Sequence, residues 1–446
     1  MKGVAVRWVI LMAFGLAACG SAVPSEIDQA NGPPNVILII ADDFGIDASP
    51  CYDVGSEKPV MPTLQSLCDE GLVFDTAWVN PMCTPTRSTL LTGHYAFRTN
   101  VRQVNDVLDD GLPTIFDLLA NDVPTPYANA VVGKWHVSGE EPPDLNAPSA
   151  FGVSHFAGFL SGALDSYFHW TIVEDGEPTA TDTYATTKLT DEAIDWVGKQ
   201  PDDPWFLWLA YNAPHWPYHL PPADLAPHAT RLSGGTVEIE RDPRPYYLAM
   251  GEALDTELGR LLASLDPATR AKTTIFFVGD NGTETDVAQP PFTEDHAKSS
   301  IYEGGIRVPL VVSGWGVTRS GEREDALING VDIPATIATL AGSSSSTFGD
   351  GTSFRDALSD PSYEGRSFIY VDGIRDIETT GALPGWTVRE GDYKLIHRDS
   401  GDEELYDLAV DPWEETNLIG SEDIAESVIE SLRAIHDELV AAEPNA

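Results

Sequence analysis

The chain has 446 residues, 42% hydrophobic and 9% aromatic, which is enough apolar material for one large α/β domain or two unequal ones and too much for a disordered chain. Its 26 basic and 70 acidic residues leave a formal net charge of −44, which argues against nucleic acid as a partner. No apolar run beyond the N-terminal segment is long enough to span a bilayer.

At the N-terminus Lys2 and Arg7 precede an apolar stretch over residues 8–18, and Leu16-Ala17-Ala18-Cys19-Gly20 resembles a bacterial lipobox. The pattern predicts a lipoprotein signal peptide over 1–18 and a polar tether over 19–34. Lipid on Cys19 would hold an exported protein to a bacterial membrane, on its periplasmic side or at the cell surface. A signal peptide cleaved without lipidation and an uncleaved anchor are the alternatives. Removing 1–18 takes Lys2 and Arg7 with it and moves the charge to −46. Export permits disulfides, and Cys51 and Cys68 are free to form one, a pairing that spacing alone does not decide.

Four short apolar runs, 35–41, 128–132, 206–211 and 274–278, lack alternation, as strands buried on both faces should. Helical patterns lie among them. Residues 61–71 put Leu64, Leu67 and Cys68 on one face, and 246–265 align Leu254, Leu258, Leu261, Leu262 and Leu265. The alternation predicts an α/β fold: a mostly parallel central sheet flanked by helices. Each run ends in polar residues: Asp42-Asp43, Lys134-Trp135-His136, Asn212-Ala213-Pro214-His215 and Asp280-Asn281. Parallel sheets bind ligands at the carboxyl ends of their strands, so these residues should converge on one site. Asp42, Asp43, Asp280 and Asn281 are hard oxygen donors, suited to Ca²⁺ or Mg²⁺ rather than zinc. Taken separately, the acidic pair is also a good helix cap, and Asp280-Asn281-Gly282 a good turn.

Between the first two runs lies Cys83-Thr84-Pro85-Thr86-Arg87-Ser88-Thr89-Leu90-Leu91-Thr92-Gly93. Read locally it starts a helix, with Thr84 as N-cap, Pro85 at the first helical position and a buried cysteine just before. Such a start offers free N–H groups and a positive dipole end to a tetrahedral anion. After residue 365 the texture changes. Short β-like pieces at 367–371, 386–389, 393–396 and 404–407 precede an amphipathic helix near 424–439, which predicts a small antiparallel α+β subdomain over 365–446, after a catalytic domain over 35–364. The serine-rich stretch 342–351 reads as a surface loop near the junction.

The Cys83 segment resembles the signature of the type I, formylglycine-dependent sulfatases of the alkaline phosphatase superfamily. The likeness extends to Lys298, to Glu303-Gly304-Gly305-Ile306-Arg307-Val308-Pro309, and to Glu404–Leu408 and Asp411-Pro412 in the C-terminal part. It implies that a formylglycine-generating system converts Cys83 to formylglycine (3-oxoalanine). It implies one Ca²⁺ per chain, held by Asp42, Asp43, Asp280, Asn281 and the residue-83 side chain. The residue types do not separate Ca²⁺ from Mg²⁺.

Carried over by position, the resemblance assigns roles. One hydroxyl of the hydrated aldehyde attacks sulfur, giving a covalent sulfate intermediate, while Asp280 takes its proton and Arg87 steadies its charge. Lys134 orients the nucleophile and binds a sulfate oxygen. His215 and Lys298 bind the ester oxygen, with His215 protonating the leaving alcohol. His136 is the base for the collapse that expels sulfate. The expected activity is hydrolysis of an aryl or carbohydrate sulfate, with a sulfated small molecule or glycan as substrate. A phosphoric or phosphonic ester hydrolase on the same core, and a non-catalytic sulfoglycan-binding surface protein, are the alternatives. Asp165, Tyr167 and His169 are further candidates to touch substrate, with aromatic packing as their plainer role, and His219 is a candidate to line the pocket, with a place on the Pro-rich loop 217–222 as its plainer one. The acidic charge suits a saline habitat, where a Debye length of about 8 Å or less screens an anionic substrate from it, and it suits equally a merely soluble surface.

Overall fold

The structure is a computed structural model that describes residues 32–139, 144–200, 204–374, 384–422 and 426–442. The expected signal peptide, Cys19 and the tether as far as residue 31 lie outside the described residues.

The four apolar runs form strands β1 (Asn35–Ala41), β3 (Ala128–Lys134), β7 (Trp205–Tyr211) and β8 (Thr273–Gly279). They lie side by side in the order β8-β1-β7-β3, all parallel, in the middle of a ten-stranded sheet. Their lack of alternation has the expected cause. On β1, Ile37, Ile39 and Ala41 enter one core cluster and Val36, Leu38 and Ile40 another, so both faces are covered. Helices α1 (Pro62–Glu70), α3 (Ala185–Gly198) and α4 (Arg244–Ser264) cover the first face through Leu64, Leu189, Leu254 and Leu258. Helices α2 (Cys83–Thr92) and α5 (Asp332–Leu340) cover the second through Leu90, Leu91, Ile333 and Ile337.

The sheet's flanks are mixed. On one side β9 (Leu310–Gly314) runs antiparallel to both β8 and β2 (Leu72–Phe74), and β10 (Glu322–Glu324) closes the edge. On the other, β4 (Phe156–Phe159) pairs parallel with β3, and a hairpin of β5 (Trp170–Glu174) and β6 (Glu177–Thr181) follows antiparallel. Asp175 and Gly176 turn that hairpin with φ of 46° and 88°, the double positive φ that a two-residue type I′ turn needs. Cys51 and Cys68 form a disulfide that ties the loop after β1 to α1.

The last strands, β11 (Phe368–Asp372), β12 (Gly385–Glu390), β13 (Tyr393–Arg398) and β14 (Glu403–Asp407), form an antiparallel sheet in sequence order. Helix α6 (Glu426–Ala441) packs on one face through Ile429 and Leu432, against Tyr370, Val388 and Leu395. The other face meets Trp78, Ile301 and Ile306 through Ile369, Val371 and Ile396. Residues 347–348 and 351–352, expected as loop, make a two-residue ladder.

Helix α2 departs from expectation at its start. Its N-cap is Met82 and its first residue Cys83, so Thr84 is not the cap and Pro85 is the third helical residue. The first four N–H groups of a helix have no partner inside it, and a proline there costs nothing. Thr84, freed from capping, turns its hydroxyl to the imidazole of His136. Gly93, at φ 68°, ends the helix with its N–H on the Thr89 carbonyl.

Candidate active site

The four central strands deliver their polar ends to one place. Asp42, Asp43, Asp280, Asn281, Arg87 and Lys134 are fully buried, and His136, Cys83, His215 and Lys298 nearly so. The structure thus brings together the ten residues that the sequence singled out for metal or catalytic roles. Lys134 Nζ donates to Asp42 Oδ2 at 2.6 Å. The Arg87 fork spans two elements, donating to the Lys134 carbonyl at 2.8 Å and to Asp280 Oδ2 at 2.7 Å. Lys298 Nζ lies 2.7 and 2.8 Å from the two oxygens of Asp43 and 2.9 Å from Glu284 Oε2. The Asp43 backbone N–H donates to Asp280 Oδ1 at 3.1 Å, and Asn281 Nδ2 to Asp43 Oδ1 at 2.8 Å. Three buried carboxylates thus face three buried cations in one network, as charges withdrawn from water require.

Two oxygens stand outside that balance. Asp42 Oδ1 and Asn281 Oδ1 are buried and have no hydrogen-bond partner. A buried acceptor left unsatisfied costs about 1–3 kcal/mol, so such atoms are where a cation belongs. Donor atoms of Asp42, Cys83 and Asp280 lie within 4.8 Å of one another, as do those of Asp42, Asp43 and His215. An oxygen-rich set of this kind fits a hard divalent ion such as Ca²⁺.

Residue 83 and His136 face each other, with Cys83 Sγ 3.3 Å from His136 Nδ1. His136 Nε2 lies 2.9 Å from Asn105 Oδ1, an atom that only accepts, so Nε2 carries the ring proton and Nδ1 offers a lone pair toward residue 83. Burial pushes His136 well below its usual range, and Lys134 and Arg87 add to the effect, so the ring is neutral. Burial likewise raises the Cys83 thiol. The wall beyond His136 is bare backbone at Gly162, where a Cβ would come within 2.6 Å of the ring's Cε1 and Nε2.

His215 is oriented from the other side. Its Nδ1 donates to the Trp216 carbonyl oxygen at 2.7 Å, and Nε2 stands 3.8 Å from Asp43 Oδ2. Burial holds its pKa down at about 3, against the pull of Asp43. For Asp43 burial works upward, but the Lys298 ammonium outweighs it and, with the Asn281 hydrogen bond, keeps the carboxylate ionised. Asp42 goes the other way: burial raises it first and Asp280 second, over Lys134's opposition, as expected of a carboxylate short of one positive charge.

Some of the second-rank candidates change role. Tyr167 is buried, and its hydroxyl lies 2.8 and 2.7 Å from the Asn212 and His215 carbonyl oxygens, so it props the His215 turn from beneath. His219 sits among Tyr167, Phe168 and Tyr184, hydrogen-bonded to the Tyr184 hydroxyl and the Pro217 carbonyl. His169 is exposed and pairs with Asp182. Asn105 and Glu284 belong to the site and went unnoticed in the sequence. Glu284 had one signal, its place three residues after Asn281 in the segment that follows β8.

The sulfatase family model matches residues 34–343, and the model of the N-sulphoglucosamine sulphohydrolase C-terminal region matches 295–442. An arylsulfatase of Klebsiella aerogenes is 25% identical over 410 residues, covering 69% of this chain and 87% of that enzyme. The N-acetylgalactosamine-6-sulfatase of Sus scrofa is 28% identical over 378 residues, covering 76% of this chain and 67% of that one. Among solved structures, Ps i-CgsB in complex with k-i-k-neocarrahexaose superposes with a TM-score of 0.76 at 24% identity, over 91% of this chain and 92% of that one, a likeness of fold. None of these likenesses points to the phosphoric-ester or the purely binding alternative. With the family model matched over most of its length, the chain belongs to the sulfatase family and is by that membership a sulfuric ester hydrolase.

Proposed function

We propose that the protein hydrolyses a sulfate ester to an alcohol and inorganic sulfate, using a formylglycine made from Cys83 and a Ca²⁺ held by Asp42, Asp43, Asp280 and Asn281. The observation that carries this is the meeting of Cys83 Sγ with His136 Nδ1 at 3.3 Å, inside the donor set of Asp42 and Asp280. When present, the converted residue supplies a strong oxygen nucleophile and the cation supplies positive charge to the sulfate oxygens.

The chain's own residues do the rest. Arg87, Lys134 and Lys298 offer fixed N–H donors to an anion whose sulfur is shielded by its own oxygens. Lys298 is available to the ester because its present partners, Asp43 and Glu284, are carboxylates that an incoming sulfate can replace at the ammonium. His136 Nδ1 takes a proton from the side chain of residue 83, with Asn105 fixing the tautomer. His215 enters neutral with a bare Nε2. Sulfate brings negative charge to that nitrogen, which favours uptake of a proton from solvent as the ester binds, and the imidazolium then hands that proton from Nε2 to the departing alcohol.

The same reading includes a formylglycine-generating system as partner, export with lipid on Cys19, and an aryl or carbohydrate sulfate as substrate. Sequence motifs support the first two, and the relatives' names support the third. The test uses 4-nitrophenyl sulfate and protein from a host able to convert Cys83. Release of sulfate, lost in Cys83→Ala, is the expected result. Turnover that survives Cys83→Ala, or a strong preference for 4-nitrophenyl phosphate, overturns the proposal.

A further inference from the structure

Trp216 follows His215 and is 49% exposed, the one aromatic among the exposed large apolar side chains of the described residues; the others are Val60, Val107, Val237, Val410, Ile419 and Val440. An indole left half in water forgoes much of the burial that makes tryptophan stabilising, so its position calls for a use. The ring is not loose. It stacks on the His215 imidazole with centroids 5.5 Å apart and planes at 29°. Its own carbonyl oxygen accepts the His215 Nδ1 proton at 2.7 Å. His215 Nε2 in turn stands 3.8 Å from Asp43 Oδ2, and Lys298 2.7 Å from Asp43 Oδ1. The indole is therefore one ring removed from the groups that meet the ester oxygen, on the solvent side of them. A group bonded to that oxygen that extends toward solvent past His215 meets the exposed indole of Trp216.

We propose that Trp216 is a specificity-determining platform for the leaving group, selecting sulfate esters whose sulfate is carried by or next to a six-membered ring. An aromatic ring, or the C–H face of a sugar, covers the exposed indole, and a short alkyl chain does not. The inference rests on the sulfatase reading for the orientation of the ester. Stacking of this kind is worth about three- to tenfold in affinity.

The test measures binding without turnover, by calorimetry in the presence of Ca²⁺, on full-length protein whose Cys83 is left unconverted. The probes are 4-nitrophenyl sulfate, glucose 6-sulfate and ethyl sulfate, against wild type, Trp216→Ala and Trp216→Phe. Wild type should prefer the ring-bearing esters. Trp216→Ala should weaken them by about three- to tenfold, leave ethyl sulfate little changed, and be largely rescued by Trp216→Phe. Whichever ring-bearing ester loses more identifies the ring, aromatic or sugar, that the platform serves. Equal weakening of all three esters would mean that Trp216 acts only by holding His215, and overturns the proposal. So would a wild type with no preference for rings. Turnover by converted protein is scored separately, so an enzyme that binds rings selectively yet releases no sulfate refutes the sulfatase reading and leaves the platform standing.

Discussion

Asn105→Gly isolates the orientation of His136 more cleanly than any change to His136 itself. Asn105 sits at φ 66°, a left-handed conformation that glycine adopts without strain and alanine does not, so glycine removes the side chain and little else. What is lost is the 2.9 Å bond from His136 Nε2 to Asn105 Oδ1. A neutral hydrogen bond contributes about 0.5–1.5 kcal/mol, and without it the ring also divides between two tautomers. Together these amount to a fall of about five- to tenfold in the step that His136 serves. In the proposed sequence that step follows departure of the alcohol, so the two kinetic constants should separate. The value of kcat for 4-nitrophenyl sulfate should fall while kcat/KM stays near wild type, with KM falling in proportion. Stopped-flow traces should gain a burst of nitrophenol ahead of the steady rate. An unchanged kcat, or a kcat/KM that falls as far as kcat with no burst, would refute the assignment of His136 to the later step.

Three further outcomes follow from the structure. Chelating divalent ions should abolish sulfate release and lower Tm, because a ligand bound at a hundredfold excess over its Kd contributes about 2.7 kcal/mol, and Ca²⁺ should restore both. Glu414 is buried with Glu303 against Lys394, and burial, outweighing Lys394 and reinforced by Glu303, pushes its carboxyl up to about 7 from 4.5. An acid raised on folding stabilises while protonated, so its contribution is complete below the unfolded value and is lost as pH rises through about 7. Wild type should therefore lose up to about 3 kcal/mol between pH 5 and 8 that Glu414→Gln does not lose, read as the difference between their two Tm profiles. Finally, reducing the Cys51–Cys68 bridge, 17 residues apart in sequence, should cost about 3 kcal/mol in denaturant unfolding, and a Cys51→Ser/Cys68→Ser protein should match the reduced wild type.

The four central strands were legible because burial on both faces writes a continuous apolar run. Their observed ends lie within two residues of expectation. The polar residues beyond each run were legible for a topological reason: neighbouring parallel strands present their carboxyl ends on one side, so residues 238 apart in sequence, Asn281 and Asp43, meet at 2.8 Å. The edge strands were harder to read. On β6 the residues are mostly exposed, so no apolar pattern marks it, although Asp175-Gly176 is the turn signal that could have found the hairpin.

The start of α2 was misjudged because capping propensity favours Thr84, whereas the tertiary contact with His136 claims its hydroxyl. Asn105 was invisible for a related reason. It lies in an irregular loop with no motif around it, and its role exists only where that loop meets His136. The disulfide depended on geometry, the approach of the loop after β1 to α1, which no spacing rule supplies.

The most direct test of the account is to measure, on preparations with graded conversion, both the fraction of residue 83 present as aldehyde by peptide mass and the rate of sulfate release from 4-nitrophenyl sulfate in Ca²⁺. The rate should rise in proportion to the aldehyde fraction and extrapolate to zero for pure thiol. A fully active preparation whose residue 83 is an unmodified cysteine would contradict it.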